Sequence, residues 1–272
     1  MFNIFRKKPK DTTLFYHTDV HCHLLPGVDH GSPDVATSLE LLGLQQQMGI
    51  NHIIATSHVT KATFENTPET LRPAYDTLCK AVADAGMDMH IDLSAEYRID
   101  EFSLAQFKDN RFLPYPGNYL LLENAFQQEI LGMDDLIYEL QLKNFYPILA
   151  HPERYDYYGR HRERYTQLHN AGVCFQINLL SFTGYFGGRA KETAQWLLEH
   201  DYIDFLGSDM HNRQHAEILM DFIGSKDYNR LADRLRTRDK SRSWDNRNYL
   251  WPIPQTERNK CPWLEQNPGY GE

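Results

Sequence analysis

A chain of 272 residues, 41% hydrophobic, is long enough for one large core, and α/β barrels of this size fold as a single domain. A formal net charge of −9 argues against a nucleic-acid binder, which would normally carry a basic face. Four cysteines (Cys22, Cys79, Cys174 and Cys261) without CxxC or zinc-finger spacing read as reduced thiols in a cytoplasmic protein.

The opening MFNIFRKKPK puts its apolar residues before Arg6, Lys7, Lys8 and Lys10. That order is the reverse of a signal peptide and too short to span a bilayer, so residues 1–14 are expected to be a basic tail without stable membrane insertion. Phe15 to His21 reads as a strand. Ser32-Pro33 offers an N-cap followed by proline, opening a helix through Leu39, Leu42 and Met48 that stops at Gly49. Ile50 to Thr56 is a β-branched strand ending at Ser57-His58. Thr67-Pro68 opens a second helix through Leu78, Ala81 and Val82 to Gly86, and Met89 to Ala95 returns as a strand ending at Glu96.

The second half keeps the rhythm. Tyr119 to Leu122 ends at Glu123, with a helix from about Asp134 to Lys143. Pro147 to Ala150 ends at His151, with a polar helix from Arg162 to Ala171. Val173 to Ile177 ends at Asn178, with a helix from Arg189 to His200. Ile203 to Leu206 runs into Gly207-Ser208-Asp209-Met210-His211. Seven strand–helix units imply a parallel sheet. Closed on itself it is a (β/α)7 TIM-like barrel, with its chemistry at the C-terminal strand ends. From about Arg234 the chain turns polar and basic. A terminal helix is expected there, followed by a poorly ordered extension over 241–272, which leaves 15–240 as the barrel.

What ends the strands is the main functional signal. His21 and His23 lie two apart, so both imidazoles aim to one side of the strand while Cys22 faces away. The later strands end in His58, Glu96, Glu123, His151, Asn178, and Asp209 with His211. None ends in lysine or arginine, which a solvated rim would favour. Three protein ligands suffice for a single catalytic zinc, so this many donors points to two or three divalent ions. Adjacent ions lower the pKa of a bound water to give hydroxide and clamp both oxygens of an in-line displacement. Imidazole and carboxylate without thiolate suit manganese, iron or zinc, and phosphoester hydrolysis is the first reading.

The motifs DVHCHLLPGVDHG, IIATSH, AEYRID, LLLEN, ILAHPERY and GSDMHN, spread over residues 15 to 225, closely resemble the polymerase-and-histidinol-phosphatase (PHP) superfamily. Within it they resemble the bacterial tyrosine phosphatases encoded with capsule and exopolysaccharide genes. The resemblance implies a distorted PHP-type barrel holding three metal ions, most often manganese. It also implies hydrolysis of phosphotyrosine on the tail of a partner tyrosine autokinase that controls polysaccharide assembly. Carried over by residue, His21, His23, Glu96 and Asp209 hold the first ion. Glu96 bridges to a second held by Glu123 and His151. His58 and His211 serve the third with Asp29 or His30, because His30 stands where the family has a second aspartate. Asp209, His211 and Arg154 form the catalytic set. Arg154 is expected to bind phosphate, with Arg213 the nearest match to a second family arginine. Tyr155, Tyr157, Tyr158 and Tyr185 are candidates to stack on a phosphotyrosine ring. Two other readings keep the same residues: a phosphatase of a small phosphomonoester such as histidinol phosphate, and a non-catalytic kinase-binding partner. No cysteine is followed by arginine at the CxxxxxR spacing, so phosphotyrosine cleavage here requires metal.

Overall fold

The computed structural model describes residues 13–238. Most of the basic N-terminal segment and the whole 241–272 extension lie outside these residues. In chain order the elements are β1 (Thr18–Cys22), α1 (Val35–Gln47), β2 (His52–Ala55), β3 (His58–Val59), α2 (Pro68–Asp84), β4 (His90–Leu93), β5 (Glu96–Arg98) and α3 (Glu101–Lys108). Then come β6 (Tyr119–Glu123), α4 (Met133–Leu142), β7 (Tyr146–Ala150), α5 (Asp156–Arg160), α6 (Glu163–Asn170), β8 (Cys174–Asn178), α7 (Gly188–Glu199), β9 (Phe205–Gly207), α8 (Arg213–Phe222) and α9 (Lys226–Arg238). Leu14, assigned to the tail from composition, is buried, and its N–H donates to Met48 O at 2.7 Å.

All pairings between these strands are parallel. They form two ladders, β1-β2-β4 and β3-β5-β6-β7-β8-β9. The sheet curls so that its ends meet: Cys22 at the end of β1 bridges Met210 just past β9, and Asp209 N–H donates to His21 O at 2.7 Å. Side chains two apart share a face, and both faces are buried, as parallel strands require. Val20, Ile54, Leu121, Ile148, Ala150 and Phe205 pack together on the inner face. Ile53, Leu120, Leu122, Leu149, Ile177 and Leu206 join the larger core under the helices.

Two local expectations need correction. His58 and Glu96 open β3 and β5; they do not close the strands before them. The expected strands break at Thr56-Ser57 and Ser94-Ala95, where side-chain hydroxyls take up backbone groups. Thr56 Oγ1 accepts from Cys22 N–H at 3.1 Å, and Ser94 Oγ donates to Leu113 O at 2.8 Å. The cap of α1 is Asp34, whose carboxylate accepts from Thr37 N–H at 2.8 Å. Ser32 is buried and donates to Asp34 O. The Thr67 start of α2 holds, with a capping box closed by Thr70.

Candidate metal centre

The C-terminal end of the curled sheet gathers the predicted donors. His21 Nε2 and His23 Nε2 are 3.2 Å apart, as two imidazoles on one side of a strand should be. Glu96 Oε2 lies 3.5 Å from each of them and 2.9 Å from His58 Nδ1. Its other oxygen is 2.9 Å from His151 Nε2, which is 3.8 Å from Glu123 Oε1. Asp209 Oδ1 closes the ring at 3.3 Å from His23 and 3.5 Å from His21. The His211 ring stacks on His23 with centroids 4.0 Å apart. Donor atoms converge in four sets: His21, His23 and Glu96; His21, His151 and Asp209; His23, His58 and His211; and His58, Glu96 and Glu123. Glu96 is shared, as a bridging carboxylate would be.

Backbone and supporting side chains fix these positions. His151, just past β7, and Asp209, in the turn after β9, have φ of 33° and 51°, a left-handed conformation that costs a non-glycine residue energy. Asp19, a buried residue of β1, accepts from Ser208 N–H at 2.9 Å and from Gln45 Nε2 at 2.6 Å, tying the Asp209 turn to the His21 strand. Gln176, which drew no attention in the sequence, holds His21 Nδ1 at 2.7 Å and donates to Asn178 Oδ1 at 3.0 Å. Asn178 in turn donates to Asp209 Oδ2 at 2.7 Å, so this strand end supports a donor.

The cluster has the electrostatics of a cation site. Burial would raise the carboxyls of Glu96 and Asp209, yet the neighbouring imidazoles, His21 foremost, hold both well below the ordinary range. Burial pushes Glu123 up to about 7, helped by the Glu96 charge and opposed by Arg98. Burial pushes His151 down to about 4 and His211 down to about 3, leaving neutral imidazoles at neutral pH. His58 Nδ1, Glu96 Oε2, His151 Nδ1 and His211 Nε2 are buried without a hydrogen-bond partner among the described residues. His58 Nδ1 and Glu96 Oε2 are close but not aligned as a hydrogen bond. Buried polar atoms are normally paired, so unpaired imidazole nitrogens and a carboxylate oxygen within one cluster fit divalent ions.

Asp29 and His30 separate clearly. Asp29 Oδ2 accepts from His23 Nδ1 at 2.9 Å and from His58 N–H at 3.0 Å, and Oδ1 accepts from Gly31 N–H at 2.9 Å. It orients two donors. The His30 ring lies 4.5 Å from His211 and 4.8 Å from His58 and faces the cleft.

That cleft, of about 350 Å³, opens over the cluster. Arg154, in the 3-10 turn after β7, donates to Asp209 Oδ2 at 3.0 Å. Its guanidinium sits 4.1 Å from the Phe186 ring centre and 5.0 Å from that of Phe126. Arg98 also lines the cleft, paired with Glu123 Oε2 at 2.8 Å. Arg213 does not line it: this residue is exposed and ion-paired with Glu40 and Glu217. Tyr155 and Tyr158 are buried in the core, so they cannot stack on a ligand. Tyr157 is tied to Ala125 O, while Tyr185 does line the cleft. Phe126, Phe186 and His215 line it too, and sequence reasoning missed them. An arginine within AEYRID was the only available signal for Arg98.

A family model described as "Capsular polysaccharide synthesis, CpsB/CapC" matches residues 17–234. A SusD-family model matches residues 201–270, of which 239–270 lie outside the described part. The tyrosine-protein phosphatase YwqE of Bacillus subtilis is 33% identical over 195 residues, covering 71% of this chain and 77% of its own length. The tyrosine-protein phosphatase CpsB of Streptococcus pneumoniae is 28% identical over 211 residues, covering 71% of this chain and 82% of its own. Among solved structures, one from work on YwqE and CpsB, described there as unique metal-dependent tyrosine phosphatases, aligns with a TM-score of 0.69 at 31% identity. It covers 79% of this chain and 91% of that one.

Proposed function

Because this chain belongs to the CpsB/CapC family of capsular polysaccharide synthesis, we propose that the cleft beside Arg154 is where it hydrolyses phosphotyrosine. The chain is a metal-dependent tyrosine-protein phosphatase of that family. One observation carries the assignment of the cleft: the imidazole–carboxylate cluster lies directly beneath a guanidinium held between two phenylalanine rings.

We assign three divalent ions, manganese in preference to iron or zinc. His21, His23, Glu96 and Asp209 would hold the first, Glu96, Glu123 and His151 the second, and His58, His211 and His30 the third. When bound, such ions acidify water and offset phosphoryl charge. The protein's own groups do the rest. Arg154 presents its planar fork to the phosphoryl oxygens, and Asp209 holds that fork in place at 3.0 Å. His211 faces the same space with Nε2 unpaired. Arg98 takes the second cationic place that the spacing gave to Arg213. Phe126, Phe186 and Tyr185 flank the entering aromatic ring.

The finer architecture follows the same reading. Taking β2 with β3 and β4 with β5 as interrupted single strands leaves seven strand positions, and the Cys22–Met210 bridge supports closure into one distorted PHP-type barrel. Residues 15–240 would be its extent, in keeping with the family match. The substrate would be the phosphotyrosine tail of a bacterial tyrosine autokinase that governs capsule or exopolysaccharide assembly, met in the cytoplasm. No helix among the described residues is long and apolar enough to cross a membrane.

The test is turnover of a phosphotyrosine peptide by metal-stripped protein, before and after manganese, beside turnover of histidinol phosphate. Activity should vanish on stripping, return with manganese and favour the peptide. Activity that survives chelation and depends on a thiol overturns the metal mechanism. Faster turnover of histidinol phosphate overturns the substrate.

A further inference from the structure

A second group of ligand-type side chains lies at the opposite end of the sheet. His52 opens β2, and His90 and Asp92 belong to β4, with His52 registered opposite His90 and Ile54 opposite Asp92. Residues two apart share a face, so His90 and Asp92 project from the same side of β4. Their register partners His52 and Ile54 do so from β2, on the inner face where Ile54 packs. Asp92 Oδ2 is 2.9 Å from His52 Nε2, and Asp92 Oδ1 is 3.3 Å from His90 Nε2. The two imidazole centroids are 4.7 Å apart. An ion with four tetrahedral bonds of about 2.0–2.1 Å separates its ligands by roughly 3.3–3.4 Å, so these donors need only small adjustments.

We propose that His52, His90 and Asp92 form a separate binding site for a divalent transition ion of borderline softness, for which zinc is the probe. Two imidazoles and one carboxylate match that class of ion and leave a position open to water. Both histidines point Nε2 at the same carboxylate, an arrangement that serves one shared cation. Thr18 Oγ1 stands 3.4 Å from the other nitrogen of His52, where a hydroxyl can accept from Nδ1–H and leave Nε2 free to ligate. The site is reachable, since the His90 side chain is 68% exposed while that of His52 is 12% exposed. It takes no part in the phosphatase cleft, because none of the three residues lines it. An ion here would staple β2 to β4 at their starts, remote from the chemistry.

The experiment counts zinc. Tag-free wild-type protein, His90→Ala and Asp92→Asn are stripped, dialysed against micromolar zinc and analysed for metal per chain. The phosphatase centre contributes equally to all three. Each variant should bind one equivalent fewer than wild type, and His90→Ala, changed at an exposed side chain, should keep its fold and its manganese-supported turnover. Zinc should also raise the melting temperature of wild type more than that of His90→Ala. Equal stoichiometry in wild type and both variants, or a difference only at millimolar zinc, overturns the proposal.

Discussion

Arg154 is held by Asp209 and by two phenylalanine rings, and guanidinium cannot ligate a metal. Its loss should therefore separate phosphate recognition from metal binding. Arg154→Ala is expected to keep its metal content and lose roughly 10- to 1,000-fold in kcat/KM for a phosphotyrosine peptide, the range for a missing charge-stabilising donor. Lysine should restore only part, keeping charge without the fork. A parallel loss of metal would mean that Arg154 acts through Asp209. The pair Asp29 and His30 allows a sharper comparison. Asp29 spends both oxygens on His23, His58 and Gly31, whereas the His30 ring faces the cleft. His30→Ala should lower manganese per chain by up to one equivalent even at saturation. Asp29→Asn should reach full stoichiometry with affinity weakened by roughly 10- to 100-fold, as for an outer-shell partner. The reverse result in metal analysis would exchange their roles.

At the scale of elements, the close approach of β9 to β1 is what a side chain would disturb first. A Cβ at Gly207 would stand 2.6 Å from His21 Cβ and 2.7 Å from Gln176 Nε2. Gly207→Ala should displace His21, weaken metal binding by roughly 10- to 100-fold and cost activity in proportion, while helices on the outer face stay intact by circular dichroism. Wild-type metal affinity in that variant would show that the strand yields without moving its ligand. These elements also mark what the sequence made legible. Parallel strands buried on both faces appear as apolar runs, and their terminating donors stand out because a run stops abruptly at a polar residue. Hence Glu123 and His151 could be read directly as the polar residues that close β6 and follow β7. The breaks after β2 and β4 could not, because Thr56 and Ser94 act through hydrogen bonds to distant backbone. Gln176 lies inside an apolar strand, and its partner His21 is remote in sequence. Arg213 failed for the opposite reason: sequence offset says nothing of direction, and the first turn of α8 points it to Glu40 and Glu217.

For the molecule as a whole, the centre joins the strands that meet when the sheet curls. His21 and His23 come from β1 and its end, Glu96 from β5, His151 from the end of β7 and Asp209 from the turn after β9. Ions held by these residues, as proposed above, would tie the two ladders to each other as well as assist chemistry. A ligand at a hundredfold its Kd stabilises the folded state by about 2.7 kcal/mol, and a chain of this size gains about 2–4 °C per kcal/mol. Chelation should then lower the melting temperature by roughly 5–10 °C for each ion removed, read by calorimetry with and without manganese. An unchanged melting temperature would mean that the curl is self-sufficient.

The left-handed backbone at His151 and Asp209 carries a consequence for how such a protein can drift. Glycine or asparagine would sit there more comfortably, so selection for heat resistance alone would favour replacing both residues. Selection for chemistry forbids it. A library screened only for survival on heating should therefore enrich glycine at position 209 or 151 among its hardiest members, and those members should be the silent ones.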